Sequence, residues 1–414
     1  MANKKNSKPA NVETQLTSEP QEFPELKLFA IRSVYFILWL ALILLIICAY
    51  PLAISLSTGE LTSIDAALAK QHAGEAKNET ILFGPAYGNP VFYYKQLAIS
   101  QQKPQLLAIG TSRVLAMRKE FFNSSLSFYN AGNAVTTLAD IEPFLRNITP
   151  SALPQILFIS LDQNFFDEKW TAETQSPVYF KPSAWSTILR FRDSVPKIYI
   201  DTFIDKRIDP HAIAQYARSP DIGARAVIFI DGFRPDGSSI SKEENDFYIA
   251  NNVSIIEQGP RPYSYTQQQI KDNVANFDYG DTAYNQSLNE LESLLDFTDA
   301  HNITVVAYLP PYPHFVYQLM MSSGNYEYVR KLNETLAPIF AAHNAHLADF
   351  SDITWVANAS DCNMLNGLHS GEKGDALLLL QYAKQDSFVA NIVGEQRINA
   401  LLPLSNNCLT LFDN

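Results

Sequence analysis

The chain has 414 residues, a formal net charge of −12 and 47% hydrophobic residues. This length exceeds what a single small core needs and allows one large domain with additional segments. The acidic balance, without a long block of Lys and Arg, excludes nucleic acid as an expected partner. No group of Cys and His residues has the spacing of metal ligands, so we expect no metal site.

The N-terminal part of the chain differs from the rest. Residues 1–30 are predicted to form a disordered tail, because their first part is polar and contains few large apolar side chains. From Ser33 to Gly59 no charged residue occurs. Residues 31–56 are therefore predicted to form a transmembrane helix, since about 20 apolar residues rising 1.5 Å each cover roughly 30 Å, the thickness of a bilayer core.

The charges on either side of this span predict its orientation. Five basic residues precede the uncharged stretch that begins at Ser33, whereas the acidic Glu60 and Asp65 follow it. The positive-inside rule therefore places the N-terminus in the cytoplasm and the remaining chain in the periplasm or outside the cell. A cleaved signal peptide is the alternative, but its apolar region normally has about 7–15 residues. We favour an uncleaved, single-pass signal anchor.

The first part of the exported chain leads to a strand-to-helix turn. Residues 57–103 are predicted to form a juxtamembrane segment with a helix near 63–77, which a loop rich in Gly and Pro interrupts. The apolar run Leu106–Ile109 is too short for a typical helix, and the polar turn Gly110–Arg113 follows it directly. We interpret it as a buried strand that leads into a helix over 114–122.

The same alternation recurs further along the chain. Apolar runs and amphipathic segments predict strands at 127–130, 156–161, 304–309 and 346–350 and helices at 137–148, 284–300, 326–343 and 371–384. Strands that alternate with helices predict an α/β fold, a three-layer sandwich with a five-stranded, mostly parallel sheet, formed by residues 104–164 and 283–414.

Residues 165–282 interrupt this alternation. They are rich in aromatic residues and proline, and a hairpin is predicted over 226–237, where turn residues follow an apolar run. We interpret the segment as an insertion that forms a cap on the sheet, because loops of this length in compact domains are usually functional.

Ser112 and His369 are the two candidate catalytic side chains. Ligands bind at the carboxyl ends of the strands in open α/β sheets, and Ser112 follows such an end. A serine hydroxyl needs a base to become a nucleophile, and histidine is the usual base near neutral pH. Gly132 and Asn133 could supply a backbone N–H and an amide for an oxyanion. The alternatives are that Ser112 caps the next helix and that His369 is structural or exposed.

Four blocks of the sequence resemble the ordered motifs of the SGNH (GDSL-like) hydrolase superfamily. They are Gly110–Arg113, Asn130–Gly132, Asp162–Asn164 and Asn366–Gly374. The resemblance covers residues 104–164 and 285–385 and implies a flavodoxin-like sheet. Within the superfamily the chain resembles a membrane-anchored branch, which includes D-alanyl transfer proteins and alginate-type O-acetyltransferases and whose first block often reads Gly-(Ser/Thr)-Ser-Arg.

The resemblance implies a role for several residues. Ser112 would be the nucleophile and His369 the base, and the N–H groups of Ser112 and Gly132 would form the oxyanion hole. Asn164 would be the asparagine of the third block, although Asp162-Gln-Asn164 does not match that block in a unique register.

The acid of the superfamily lies three residues before the histidine, where this chain has Asn366. An amide oxygen can orient the imidazole but cannot stabilise imidazolium as a carboxylate does. Three outcomes are open: a Ser–His dyad, a substitute carboxylate such as Asp361, or a site that binds without turnover. For Arg113 the alternatives are that it positions an anionic or carbohydrate substrate or that it pairs with a surface carboxylate.

Two functions follow from these observations. In the first, the chain is an extracytoplasmic esterase or O-acyltransferase that acts on envelope or extracellular polysaccharide through a serine acyl-enzyme. This chemistry needs no cofactor, and the resemblance implies a multi-pass membrane acyl exporter as the partner for transfer. In the second, the chain is a catalytically silent binding or assembly factor of the envelope. Cys362 and Cys408 lie in the exported part, where they either form a disulfide or remain two free thiols.

Overall fold

The computed structural model describes residues 24–88, 91–177, 183–259 and 261–412. The expected disordered tail lies outside the described residues up to residue 23, and the chain is helical from Pro24 onward. The β-strands of the described part are β1 (Leu106–Gly110), β2 (Phe128–Gly132), β3 (Ile156–Ser160), β4 (Asp231–Phe233), β5 (Ser239–Ser241), β6 (Thr304–Leu309) and β7 (His346–Asp349).

The α-helices of the described part cover both faces of the main sheet or belong to the N-terminal segment and the insertion. They are α1 (Pro24–Ser57), α2 (Ile64–Glu75), α3 (Val91–Gln102), α4 (Ile141–Arg146), α5 (Glu168–Glu173), α6 (Ala184–Tyr199), α7 (Ile213–Tyr216), α8 (Ala224–Phe229), α9 (Lys242–Asn251), α10 (Ser264–Asp272), α11 (Asn285–Ala300), α12 (His314–Ser323), α13 (Glu327–Ala342), α14 (Glu372–Gln385), α15 (Ser387–Ile392) and α16 (Glu395–Leu401).

Five strands form one sheet in the order β2-β1-β3-β6-β7. Each neighbouring pair in this sheet is parallel. The prediction of an α/β fold with a five-stranded sheet is therefore confirmed. Gly110 and Gly132 are register partners at the ends of β1 and β2, so the turns that follow these two strands lie side by side.

The sheet separates two apolar cores. Leu107 and Ile109 of β1 belong to the first core, together with residues of α2, α3, α11 and α13. Leu106 and Ala108 belong to the second core, together with residues of α14, α15 and α16. Successive side chains of a strand point to opposite faces, and strands covered on both faces consist mostly of apolar residues. β1 and β3 are buried along their whole length and fit this description.

Helix α1 contains an apolar stretch, Leu28–Ser57, that is long and apolar enough to cross a membrane. Chain contacts divide the protein into two compact units, Met1–Pro51 and Leu52–Asn414. Within the second unit, α2 and α3 contribute buried side chains such as Leu68 and Tyr94 to the first core.

The helix expected over 114–122 is absent, and two 3₁₀ turns, Ser112–Val114 and Lys119–Phe121, take its place. The carbonyl groups that a helix would use have other partners. Asn130 Nδ2 donates to the carbonyl groups of Val114 and Met117, at 2.8 Å each. Side-chain amides that bond to the backbone compete with helix formation, so the prediction of a helix here was wrong.

The hairpin of the insertion begins later than predicted. The apolar run that starts at Ala226 lies in α8, and Ile230 then has a left-handed conformation with a φ of 52°. The antiparallel strands are β4 and β5. Glu60 Oε2 accepts the N–H of Ala224 at 2.8 Å and thereby caps α8, a contact between distant residues that periodicity cannot reveal.

Cys362 and Cys408 form a disulfide, and Cys48 is the free cysteine of the described chain. The disulfide joins the C-terminal segment to the loop that leads to Asn366 and His369. Asn363 Nδ2 supports the same connection by donating to the carbonyl oxygen of Cys408 at 2.7 Å.

We expect the Cys362→Ser/Cys408→Ser double variant to be less stable than the wild type. The disulfide closes a loop across a sequence separation of 46 residues, and loop-closure entropy then predicts a loss on the order of 4 kcal/mol in the free energy of unfolding. Denaturant unfolding of the full chain in detergent, with and without reductant, measures the difference. The Cys48→Ala variant is the control and should respond to reductant as the wild type does. Equal stability with and without reductant would contradict the disulfide.

Candidate active site

Ser112 lies at the carboxyl end of β1, as the first residue of a 3₁₀ turn. The residue that caps this turn is Thr111, whose side chain accepts the N–H of Arg113. Ser112 Oγ instead lies 2.7 Å from His369 Nε2. The alternative in which Ser112 is only a helix cap is therefore wrong. Gly110 makes room for this turn, because a Cβ at that position would come within 2.9 Å of Ser160 Cβ on β3.

His369 reaches Ser112 from a tight loop before α14. The N–H of Leu365 donates to the carbonyl oxygen of His369 at 2.7 Å, and Met364 and Ser370 form an isolated bridge around the loop. Glu257 of the insertion supports the loop, since its Oε1 accepts the N–H of Gly367 at 3.3 Å. The structure thus joins two side chains 257 positions apart.

Asn366 orients the imidazole of His369. Its Oδ1 lies 2.9 Å from His369 Nδ1 and also accepts the backbone N–H groups of Leu368 at 3.0 Å and His369 at 2.9 Å. Backbone N–H groups only donate, so the oxygen of the amide, and not its nitrogen, faces them. The same oxygen faces Nδ1, which must therefore carry the proton. Nε2 is left as the acceptor for the Ser112 hydroxyl.

The histidine is neutral in this environment. Burial, and to a lesser extent the positive charge of Arg113, lower the pKa of His369 to about 4. A neutral imidazole can accept the proton of Ser112, but the imidazolium that results has no carboxylate beside it. The arrangement therefore resembles a Ser–His dyad in which an amide supplies orientation without charge.

Asp361 is not the partner of His369. Its carboxylate accepts the N–H groups of His314 and Phe315 at the start of α12, at 2.5 Å and 3.2 Å. The position opposite His369 Nδ1 is occupied by Asn366. The outcome in which Asp361 substitutes for the acid is therefore wrong, because the carboxylate caps another helix.

The residues expected around an oxyanion lie in different environments. The N–H of Gly132 donates to Asn130 Oδ1 at 2.7 Å, so this N–H already has a partner in the structure. Asn133 is exposed, has a φ of 62° and borders the space in front of Ser112 and His369. Its side-chain amide is therefore the better placed of the two to meet a developing negative charge.

Asn164 is buried, and neither its amide oxygen nor its nitrogen has a hydrogen-bond partner among the described residues. Asp162 lies nearer the site. Its carboxylate accepts the hydroxyl groups of Thr111 and of Ser160, the latter at 3.0 Å, and it borders the space beside Ser112. Burial raises the pKa of Asp162. In the sequence, Asp162 was indicated only by the third block, Asp162-Gln-Asn164, which does not match the superfamily motif in a unique register.

Arg113 points into the protein. Its guanidinium donates to Gln163 Oε1 at 2.9 Å and to the carbonyl oxygen of Pro311 at 2.8 Å, and it lies 4.7 Å from the centre of the Tyr312 ring. The alternative in which Arg113 pairs with a surface carboxylate is therefore wrong. Buried in this way, the guanidinium connects the turn after β1 to the turns after β3 and β6.

Two clefts meet at Ser112, Asn133 and His369. The first, which we call the wide cleft, has a volume of about 510 Å³. Besides the shared residues, its lining includes Asp231, Arg234, Ser239, Glu244, Asn245 and Glu372. The second, which we call the Trp170 cleft, has a volume of about 410 Å³, and its lining includes Phe92, Val135, Thr136, Asp162, Trp170 and Leu368.

Within the residues that the structure describes, no group of three or more His, Cys, Asp or Glu side chains could hold a metal ion. Compared with protein-family models, curated proteins and solved structures, the chain matches none of them.

The neutral state of His369 can be measured directly. In the full chain with ¹⁵N-labelled histidine, we expect the ring nitrogens of His369 to titrate with a pKa of about 4. The Asn366→Asp variant should raise this pKa by about 1 to 3, because a carboxylate beside Nδ1 stabilises imidazolium. Asn245→Asp adds the same charge at the wall of the wide cleft and serves as the matched control, with a smaller effect. A pKa of His369 near that of free histidine in the wild type would contradict the assignment.

Proposed function

We propose that the protein is a membrane-anchored, extracytoplasmic SGNH-like esterase or O-acyltransferase that acts on envelope or extracellular polysaccharide. One observation carries the proposal: Ser112 Oγ lies 2.7 Å from His369 Nε2, at the carboxyl edge of a parallel sheet. The orientation of the imidazole by Asn366 Oδ1 supports it, since the unprotonated nitrogen faces the hydroxyl. Family membership, with its flavodoxin-like sheet, is part of the proposal and rests on the four sequence blocks.

The proposed reaction has two halves. Ser112 Oγ attacks the ester carbonyl carbon while its proton passes to His369 Nε2, and the carbonyl becomes an oxyanion. The ester bond then breaks, and the leaving alcohol takes the proton from Nε2. In the second half, a sugar hydroxyl or water loses its proton to Nε2 and attacks the acyl-enzyme. The breakdown of that intermediate releases the acylated sugar, or the free acid when water attacks, and returns the proton to Ser112.

We expect Asn366 to lower the rate of this reaction less than an asparagine in place of the acid usually does. In the serine-protease example, the exchange of Asp for Asn costs about 10⁴ in kcat because the histidine adopts the wrong tautomer. Here the N–H groups of Leu368 and His369 hold the amide oxygen toward Nδ1. The tautomer needed for a base is retained, and only the stabilisation of imidazolium is lost.

The two clefts favour a reaction with two substrates. The wide cleft has a larger share of polar surface than the Trp170 cleft, and Glu244 Oε1 on its wall is buried without a hydrogen-bond partner among the described residues. Such groups suit the hydroxyl groups of a polysaccharide. The Trp170 cleft has more apolar walls, which suit an acyl donor. Transfer between the clefts needs a shared nucleophile, and Ser112 borders both.

The proposed location follows from the apolar helix and the charges around it. Leu28–Ser57 would be the single-pass anchor, with the N-terminus in the cytoplasm and the sheet domain in the periplasm or outside the cell. In this position the site would receive acyl groups that have crossed the membrane. A multi-pass acyl exporter is accordingly the proposed partner, and the envelope polysaccharide is the proposed acceptor.

A catalytically silent binding or assembly factor is the second candidate. Two observations favour it: an amide takes the place of the acid beside His369, and the N–H of Gly132 already donates to Asn130. A silent site would keep both clefts but would not activate Ser112.

Labelling with a fluorophosphonate separates the two candidates. We expect the wild type to react at Ser112, the Ser112→Ala variant not to react, and His369→Ala to react about 10²- to 10⁴-fold more slowly. The rate should stay constant as the pH falls from neutrality and should decline only near pH 4, where His369 takes up a proton. Ser239→Ala, in the lining of the wide cleft, is the control and should label normally. A folded wild type that does not label at high probe concentration identifies the silent factor.

Variants in the two clefts should affect the two substrates separately. With p-nitrophenyl acetate as donor and a soluble polysaccharide as acceptor, Asn245→Ala should raise the KM for the acceptor about 3- to 10-fold through a lost hydrogen bond. Its hydrolysis of the donor should not change. Trp170→Ala should raise the KM for the donor by a similar factor and leave the KM for the acceptor near that of the wild type. If both variants affect both substrates equally, the assignment of the clefts is wrong.

A further inference from the structure

A third cleft of the described chain contains three aromatic side chains. Its volume is about 410 Å³, and its lining includes Tyr248, Asn252, Glu257, Tyr263, Phe315 and Leu365. We call it the aromatic cleft. Its residues come from the insertion, from the start of α12 and from the loop that leads to Asn366 and His369. The reaction proposed above gives this cleft no role.

The aromatic cleft continues the wide cleft along α9. Asn245 borders the wide cleft and Tyr248 borders the aromatic cleft. At about 100° and 1.5 Å per residue, these two side chains are only about 60° apart around the helix and about 4.5 Å apart along its axis. Leu365 borders both clefts, and the neighbours Ile256 and Glu257 border one each. The two clefts are therefore adjacent and share the same three segments of chain as walls.

The aromatic rings of this cleft are fixed in position. The rings of Tyr263 and Phe315 are stacked, with centres 6.2 Å apart and an angle of 20° between their planes. The hydroxyl groups of Tyr248 and Tyr263 donate to the carbonyl oxygens of Cys362 and Asp361, at 3.3 Å each. Phe315 is nevertheless 44% exposed. A ligand that stacks on its ring would order few side chains, which keeps the entropic cost of binding low.

The two carboxylates that border the aromatic cleft already have partners. Glu257 accepts the N–H groups of Thr266 and Gly367, and Asp361 accepts two N–H groups at the start of α12. The cleft therefore offers a ligand ring faces more than free charges. A pyranose ring suits such a surface, because its C–H groups can lie against the negative face of an aromatic ring while its hydroxyl groups stay in water.

An acyl chain fits this cleft less well than a sugar does. The ester carbonyl must lie at Ser112, and the wide cleft, with the polar side chains of Glu244 and Asn245 in its lining, separates Ser112 from Tyr248. An acyl chain that reached the aromatic cleft would have to pass these polar groups. A polysaccharide can bind to both clefts, since each of its sugar units has polar edges and an apolar face.

We propose that the aromatic cleft binds the acceptor polysaccharide beyond the sugar unit that reacts, with a pyranose ring against Phe315. The proposal rests on the polysaccharide acceptor of the function proposed above, but not on the acyl chemistry. The acceptor extends from Ser112 through the wide cleft and along α9 to the aromatic cleft. Several sugar units are in contact with the protein at once, so the site selects a polymer over a short sugar.

Calorimetric titration of the full chain in detergent tests the proposal. The probes are fragments of β-glucan, chitosan and alginate, graded in size from disaccharide to hexasaccharide. For one of these polymers or more, we expect the hexasaccharide to bind about tenfold more tightly than the disaccharide. The Phe315→Ala variant should weaken the binding of the hexasaccharide about 3- to 10-fold, since a stacked ring contributes up to roughly one factor of ten, and should not change that of the disaccharide.

Trp355 provides the matched control. It is 45% exposed, its ring packs against that of Tyr317, and it is absent from the lining of the wide and aromatic clefts. The Trp355→Ala variant should bind every fragment as the wild type does. Phe315→Tyr keeps the ring and should retain the affinity for the hexasaccharide, which separates a lost stacking surface from a disturbed fold.

The outcomes distinguish this proposal from the proposed acyl chemistry. A chain that does not label with fluorophosphonate but binds longer fragments more tightly, with a loss in Phe315→Ala, supports the aromatic cleft and refutes only the chemistry. A chain that labels at Ser112 but binds all fragment lengths equally, or binds none of the three polymers, overturns the proposal. A Phe315→Ala variant that raises the KM for p-nitrophenyl octanoate and not for p-nitrophenyl acetate also overturns it and assigns the cleft to the acyl chain.

Discussion

The parallel pairing of five strands is the constraint on which the candidate site depends. In a parallel sheet every strand ends at the same edge, so the turns after β1, β2, β3 and β6 are neighbours although they are distant in sequence. Ser112, Asn133 and Asp162 come from three of these turns. Arg113 joins the first turn to the third and fourth through Gln163 and Pro311. Without this shared edge, Ser112 would not lie beside the loop that carries His369.

The insertion is part of this arrangement and not an independent appendage. The ammonium group of Lys95, on α3, donates to the carbonyl oxygen of Asn130 at 2.8 Å and to that of Gly237 in the insertion. The carboxylate of Glu257 accepts the N–H of Thr266 in the insertion and the N–H of Gly367 in the loop that carries His369. Burial lowers the pKa of Lys95 to about 7, so the contact with Gly237 depends on an amine whose charge is easily lost. The insertion thus forms a wall of the wide cleft and supports the loop that carries His369.

The contact between Asn366 and His369 shows how the orientation of an imidazole can be separated from its stabilisation by charge. The backbone of Leu368 and His369 fixes the amide oxygen, and the oxygen fixes the tautomer of the imidazole. The burial of the ring and, to a lesser extent, the positive charge of Arg113 act in the opposite direction and disfavour imidazolium. Such surroundings keep the imidazole neutral over a wide range of pH, but they stabilise imidazolium less than a carboxylate would.

The sequence alone determined the positions of the main strands and of the long helices α11, α13 and α14, because buried runs and amphipathic periodicity are local properties. It also singled out Ser112, His369 and Asn366 through the blocks around them. Only the tertiary structure decided the partners: that Asn366 and not Asp361 faces the imidazole, that Gly132 is bonded to Asn130, and that Arg113 is buried. The turn after β1 and the hairpin were mispredicted for the same reason. Carbonyl groups of the turn accept from Asn130, and the N–H of Ala224 at the start of α8, the helix that replaces the first part of the predicted hairpin, donates to Glu60. Such contacts between residues far apart in sequence exist only in the folded chain.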